Sequence, residues 1–232
     1  MADRIDVLDH GFVRIVDHMG SDISIVRAAR VSYDAAWRAG KDQGSDDRLI
    51  RYLWRNNHTS PFEAVTITFE VKAPIFVFRQ WHRHRTWSFN ELSARYRELP
   101  EEFYVPAPDA VGAQSTDNKQ MRVEAELDER TRYRRHVQVQ NVTDICQQAF
   151  ELYRGLIADG WPRELARSVL PVATYSHMFA TVDLLNLMKF LTLRCHKHAQ
   201  HEIRVYAEAM RDLVRPIVPV AIDIWEACDG AP

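Results

Sequence analysis

The alternation of apolar and polar side chains predicts short strands set among more numerous helices. Gly11 to Val16 alternates well enough for a strand, and Val65 to Val71 is a second, β-branched one. Phe179 to Val182 is a candidate third, and Tyr104-Val105-Pro106 reads as a short strand end. Helical spacing dominates elsewhere. Ser21 caps a helix that buries Ile25, Val26 and Ala29. A second helix follows Ser45-Asp46-Asp47, with Leu49, Ile50, Leu53 and Trp54 on one stripe. Ser60-Pro61-Phe62-Glu63 has the form of a helix start, with Ser60 as N-cap and Glu63 closing a capping box. Pro74 opens a short apolar helix ending at Trp81. A long helix, with a possible break, is expected within Gln120–Gly160, with Val139, Val142, Cys146, Ala149, Tyr153 and Leu156 inward. Pro162 restarts a helix and Pro171 ends it. Leu184–Met210 reads as one helix or a pair, with Leu187, Phe190 and Leu191 inward, and Pro216 and Pro219 punctuate a last piece. Pro106–Lys119 reads as a loop.

This pattern gives a helix-rich α+β fold, a small mostly antiparallel sheet flanked by helices, in one domain spanning residues 1–232. The length of 232 residues suffices for a substantial core. Regular βαβ alternation is absent, and so are the glycine-rich dinucleotide and phosphate loops, so any phosphate is held by other means. Hydrophobic residues make up 46% and charged residues 27%, with a net charge of −2. That balance gives no global field for nucleic acid or an acidic membrane. The three cysteines, Cys146, Cys195 and Cys228, suit a reducing cytoplasm better than a disulfide framework. Neither a signal peptide nor a membrane-spanning apolar run is recognisable, so a cytoplasmic protein is expected.

The densest candidate chemistry lies between Gln80 and Tyr96. Arginine forks there suit phosphate or carboxylate. The serines, Asn90 and Gln80 supply donors and acceptors that suit a base edge, and Trp81, Trp87 and Tyr96 are rings for stacking. Composition alone leaves open a solvated, internally paired surface or a basic nucleic-acid patch. Glu91 and the net charge weigh against the patch.

The order of the residues narrows this. Arg83-His84-Arg85, Ser88, Asn90-Glu91, Ser93 and Arg95-Tyr96 fall at the spacing Arg-His-Arg-x-x-Ser-x-Asn-Glu-x-Ser-x-Arg-Tyr. This resembles the signature of the flavin-dependent thymidylate synthases, the ThyX family, at every fixed position. The resemblance extends through Val26–Ser32, His58–Glu63, Ala166–Pro171, Leu193-Arg194 and His198-Ala199-Gln200. It implies a ThyX-like fold and synthesis of thymidylate (dTMP) from deoxyuridylate (dUMP). The carbon would come from 5,10-methylenetetrahydrofolate and the hydride from FAD reduced by NADPH. It also implies a homotetramer whose active sites are shared between subunits.

Residues matching the family's dUMP contacts are Gln80, Trp81, His82, Arg83, Glu91, Leu92, Ser93, Ala94, Arg95, Arg167 and Arg194. Those matching its FAD contacts are Ser60, Glu63, Arg83, His84, Arg85, Thr86, Glu91, Asp183, Lys189 and His198. Arg194 matches the arginine that stabilises the uracil ring as N3 loses its proton, and is the expected catalytic residue. Its spacing to Phe190 and His198 puts the three on one helix face. Ser93 is a binding residue in this reading, because the flavin hydride makes an enzyme nucleophile unnecessary. His198, His201 and Glu202 on one helix turn would suit zinc only with ligands from a second helix, and no metal is expected. One departure stands out. Many members carry Asn-x-Arg where this chain has Asp183-Leu184-Leu185, and Lys189 lies one turn on to resupply the charge.

Overall fold

A computed structural model describes residues 4–124 and 126–230. The chain opens with β1 (Arg4–Val7), β2 (Gly11–Met19), α1 (Asp22–Arg30) and α2 (Gln43–Arg55). It continues through β3 (Thr66–Pro74), α3 (Ile75–Trp81), β4 (Ser88–Glu91) and a small hairpin, β5 (Ala113–Gln114) and β6 (Arg122–Val123). Then come α4 (Glu129–Ala158), α5 (Arg163–Ala166), β7 (Tyr175–Asp183), α6 (Leu184–Arg194), α7 (His201–Val214) and α8 (Pro219–Ala227). The main sheet has the order β1-β2-β3-β7-β4, and its neighbours are all antiparallel. This is the expected helix-rich α+β architecture.

The sheet's period of two decides its buried face. Ile67, Phe69 and Val71 lie opposite Val182, Ala180 and Met178, and all six are buried. Leu187, Phe190 and Leu191 of α6 and Ile203, Tyr206 and Met210 of α7 complete this core. Each such side chain contributes about 1.5–3 kcal/mol by leaving water. The opposite face carries Arg14, Glu70, Lys72 and His177, with Glu70 paired to both Arg14 and His177. Gly11 is required where α7 crosses β2. A Cβ there would sit 1.9 Å from the Tyr206 hydroxyl, which donates to the Lys72 carbonyl at 2.8 Å. Asp22 ties α1 to α8 by accepting from the Val220 and Ala221 amides at 2.9 and 3.2 Å.

Several local expectations are corrected. Helix α2 begins at Gln43, because Asp42 caps it by accepting from the Ser45 amide, which places Ser45 inside the first turn. Ser60–Ala64 is a single 3₁₀ turn that runs straight into β3. Thr59 occupies its cap position without a side-chain cap bond, so Ser60 caps no α-helix. The long helix starts at Glu129 rather than near Gln120, capped by Asp128. Upstream, the Gln114 amide donates to the Lys119 and Met121 carbonyls at 3.1 Å, and such side-chain bonds hold the hairpin against helix. Residue 125, within the expected helix, lies outside the described residues. On α4 only Cys146, Phe150 and Tyr153 are buried, whereas Val142 is 45% and Ile145 63% exposed. The expected Leu184–Met210 unit is a pair, broken between Cys195 and Gln200. Among the described residues, no helix is long and apolar enough to cross a membrane.

Candidate active site around the signature strand

The signature leaves the end of α3, turns, and joins the sheet as its edge strand β4. Two tryptophans anchor the turn. Trp81 is fully buried and stacks on Phe190 at 5.0 Å, with Trp87 edge-on at 5.9 Å. Both rings therefore belong to the core. The expectation that they stack on a ligand is corrected, while Tyr96, 80% exposed, keeps a free face.

That anchoring brings His84 and Gln80 against the last residue of α6. Arg194 donates from Nε to His84 Nε2 at 3.1 Å and from Nη2 to the Gln80 carbonyl at 3.2 Å. Burial, with the adjacent Arg194 charge, pushes the His84 pKa down to about 4, so the ring is neutral at neutral pH. Burial also lowers the Arg194 pKa. Among the described residues no carboxylate pairs with this guanidinium. His198, expected on the same helix face, instead lies in the connection after α6 ends at Arg194.

Glu91 accepts from Ser176 Oγ at 2.8 Å, and His82 stands 4.0 Å away. The Leu92 amide donates to the His177 carbonyl at 2.7 Å. The chain then turns sharply. The Tyr96 amide donates to the Ser93 carbonyl at 3.0 Å, the Arg95 amide to Ser93 Oγ at 3.3 Å, and Ala94 is buried. Arg95 and Arg167 both reach Glu164, Arg95 through its carboxylate at 3.9 Å and Arg167 through its carbonyl at 3.4 Å. Glu164 thus brings Arg167 near Arg95 of the signature, with both arginine side chains largely exposed.

The other expected cofactor residues sit elsewhere. Ser60 and Glu63 lie on the 3₁₀ turn beside the start of α6, where the Leu184 amide donates to the Val65 carbonyl. Asp183 caps α6, accepting from the Asn186 amide at 2.9 Å. Leu185 is buried and Lys189 exposed. The two ends of α6 stand about 16 Å apart at 1.5 Å per residue. Asp183 and Arg194 therefore stand at opposite ends of α6. Arg83, Arg85 and Thr86 are exposed on the turn.

Some contacts around the candidate site were not foreseen from the sequence. Gln80 donates to Gln200, 120 residues away, and Gln200 donates to Glu202 at 2.8 Å. Glu202, 2% exposed, also meets Arg122 at 3.0 Å and the Tyr104 hydroxyl at 3.1 Å. A cavity of about 690 Å³ opens beside them, bordered by Arg122, Lys197, His198, His201 and Arg204. Glu202 is thus a structural carboxylate. Among the described residues no His, Cys, Asp and Glu cluster has the form of a metal site. Burial pushes the Cys195 thiol up to about 12, which leaves it a poor nucleophile.

The chain matches the family described as Thymidylate synthase complementing protein over residues 14–220. It is 48% identical over 219 residues to the flavin-dependent thymidylate synthase of Wolbachia pipientis wMel, covering 94% of this chain and 75% of that one. To the enzyme of that name from Thermus thermophilus it is 49% identical over 223 residues, covering 96% and 77%. Its fold is similar to the UMP/dUMP methylase PolB of Streptomyces cacaoi, solved with 5-Br UMP. That likeness has a TM-score of 0.84 at 38% identity and covers 98% of both chains. The same methylase with 5-Br dUMP gives 0.83 at 39%. The signature strand, the arginine held beside it and these likenesses agree: the chain belongs to the flavin-dependent thymidylate synthase family.

Proposed function

We propose that this chain makes dTMP from dUMP, taking the methylene from 5,10-methylenetetrahydrofolate and the hydride from FAD reduced by NADPH. Arg194 is the observation that carries the reading. It is a half-buried guanidinium whose two bonded partners, a neutral imidazole and a carbonyl, supply no negative charge. A cation in that setting is stabilised when an anion arrives. A uracil ring losing its N3 proton is such an anion, and a preorganised fork beside it lowers the barrier. Ser93, its neighbouring amides, Arg95 and Arg167 suit the phosphate. Gln80 and Glu91 suit the polar edges of the nucleoside.

The chain's residues also fit a flavin dinucleotide. Arg83 and Arg85 are exposed and unpaired among the described residues, which suits a diphosphate, and Ser60, Glu63 and Thr86 add polar contacts. Lys189 is exposed on α6, where it can supply the charge that Leu185 lacks. Bound FAD supplies the hydride that completes the methyl group. Ser93 then needs only to bind.

A homotetramer with shared sites accounts for two observations. Site residues stand at opposite ends of α6. In addition, α4 leaves Tyr133, Val137, Val142, Ile145 and Leu152 exposed, as a subunit contact requires. Light scattering on the purified protein tests this, and a fully active monomer would exclude shared sites.

The deciding experiment incubates the purified protein with dUMP, methylenetetrahydrofolate and NADPH and measures dTMP. Bound flavin and nucleotide without product would sink the reading and leave a nucleotide-binding module. The likeness to a UMP/dUMP methylase favours one second reading, methylation of the ribonucleotide, which the same assay with UMP distinguishes.

A further inference from the structure

We propose that His84 is a positioning residue that fixes the Arg194 guanidinium for the reaction, a role separate from any contact with flavin. The inference rests on the thymidylate synthase reading only for its catalytic consequence. An arginine at a helix end has several rotatable bonds, and holding one rotamer costs about 2 kcal/mol of side-chain entropy. Two acceptors offset that cost here. His84 Nε2 takes the Nε–H at 3.1 Å and the Gln80 carbonyl takes an Nη2–H at 3.2 Å. Both lie along the same edge of the fork, so the guanidinium plane is fixed and its outer N–H groups stay free for a ligand.

The imidazole is held in turn. The His84 amide donates to the Trp81 carbonyl at 2.9 Å, and its ring packs edge-on against Phe190 at 4.9 Å. Phe190 is itself stacked on Trp81. The buried aromatic cluster therefore sets the ring, and the ring sets the arginine. Only a neutral imidazole can accept this bond, and the depressed pKa keeps it neutral.

The test compares His84→Leu, which removes the acceptor, with His84→Gln, whose amide oxygen reaches close to the Nε2 position. We expect His84→Leu to lower kcat by about 10- to 100-fold, the range expected of a small misplacement. Its KM for dUMP should change far less, and His84→Gln should recover most of the lost rate. Wild-type kcat in His84→Leu overturns the proposal, as does His84→Gln being equally slow. If the leucine variant does not fold, His84→Asn replaces it, because its shorter amide cannot reach the guanidinium. Crystals give a readout independent of turnover: the Arg194 fork should be displaced in His84→Leu and in place in His84→Gln. An undisplaced fork in His84→Leu also overturns the proposal. If the wild-type protein makes no dTMP, the functional reading fails alone, and the fork position still decides the role of His84.

Discussion

Replacing Arg194 by alanine probes the reaction most directly. The guanidinium is half-buried and meets only neutral partners, so its charge is available to a bound anion. Two unit charges about 4 Å apart at an effective dielectric of about 20 attract by about 4 kcal/mol. Removing one preorganised donor from an oxyanion site costs about 2.7–4 kcal/mol in enzymes generally. The two figures agree, and 4 kcal/mol corresponds to roughly a thousandfold in rate. On the proposed reading the uracil charge develops during the reaction, so the loss should fall on kcat more than on KM for dUMP. Alanine also leaves the Gln80 carbonyl and His84 Nε2 without their donor, at about 1 kcal/mol of stability. A melting curve measures that cost separately. Arg194→Lys keeps the charge, loses the Nε bond to His84, and should fall between wild type and alanine. The assay is steady-state dTMP formation, with flavin reduction by NADPH followed in parallel to show an intact cofactor site. A kcat for Arg194→Ala within about tenfold of wild type would refute electrostatic activation by this residue.

Three further outcomes are expected. Ser93→Ala should weaken dUMP binding and leave turnover at saturating nucleotide, since Ser93 Oγ already accepts from the Arg95 amide; abolished turnover with intact binding would make it a nucleophile. Lys189→Ala should lower flavin affinity about tenfold, or ~1.4 kcal/mol, in equilibrium titration; unchanged affinity would end the idea that Lys189 compensates for Leu185. Glu202→Gln should cost about 2 kcal/mol of stability at neutral pH. Burial pushes the Glu202 pKa up, but Gln200, Arg122 and Tyr104 outweigh it and the net pKa lies below 4.5. The carboxylate's contribution is therefore present above pH 4.5 and lost as pH falls through the folded pKa. Melts of the two proteins should converge in acid, and a pH-independent gap would contradict this.

β2, β3 and β7 were legible because they alternate against one buried face, a pattern tied to a period of two, whereas the short β1, β4, β5 and β6 carry too few residues to show it and Tyr104-Val105-Pro106 forms no strand. α6 was legible because Leu187, Phe190 and Leu191 recur at helical spacing. The family was legible in the order of the signature residues, but the contacts of the candidate site were not. Trp81 and Trp87 look like ligand-stacking rings in sequence, and only the packing with Phe190 shows them to be core. The break after Arg194 moves His198 off the expected helix face, and apolar periodicity does not mark it. α4 misled in the opposite way. Its apolar stripe is real, but much of it faces away from this chain's own core, as an interface would require. Contacts such as Gln80 with Gln200 join segments 120 residues apart, and no local pattern encodes them.

The placement of β4 bears on how such a site changes over time. The strand is four residues long and, among the described residues, pairs only with β7. A change on its outer edge therefore leaves the β1-β2-β3-β7 ladder untouched. Glu91, the β4 residue proposed to meet the nucleotide, thus sits at the margin of the sheet, whereas Arg194 is tied through His84 to the buried aromatic core. On the proposed reading, substitution along that margin can alter substrate preference without rebuilding the scaffold, whereas a change around Arg194 disturbs the core as well.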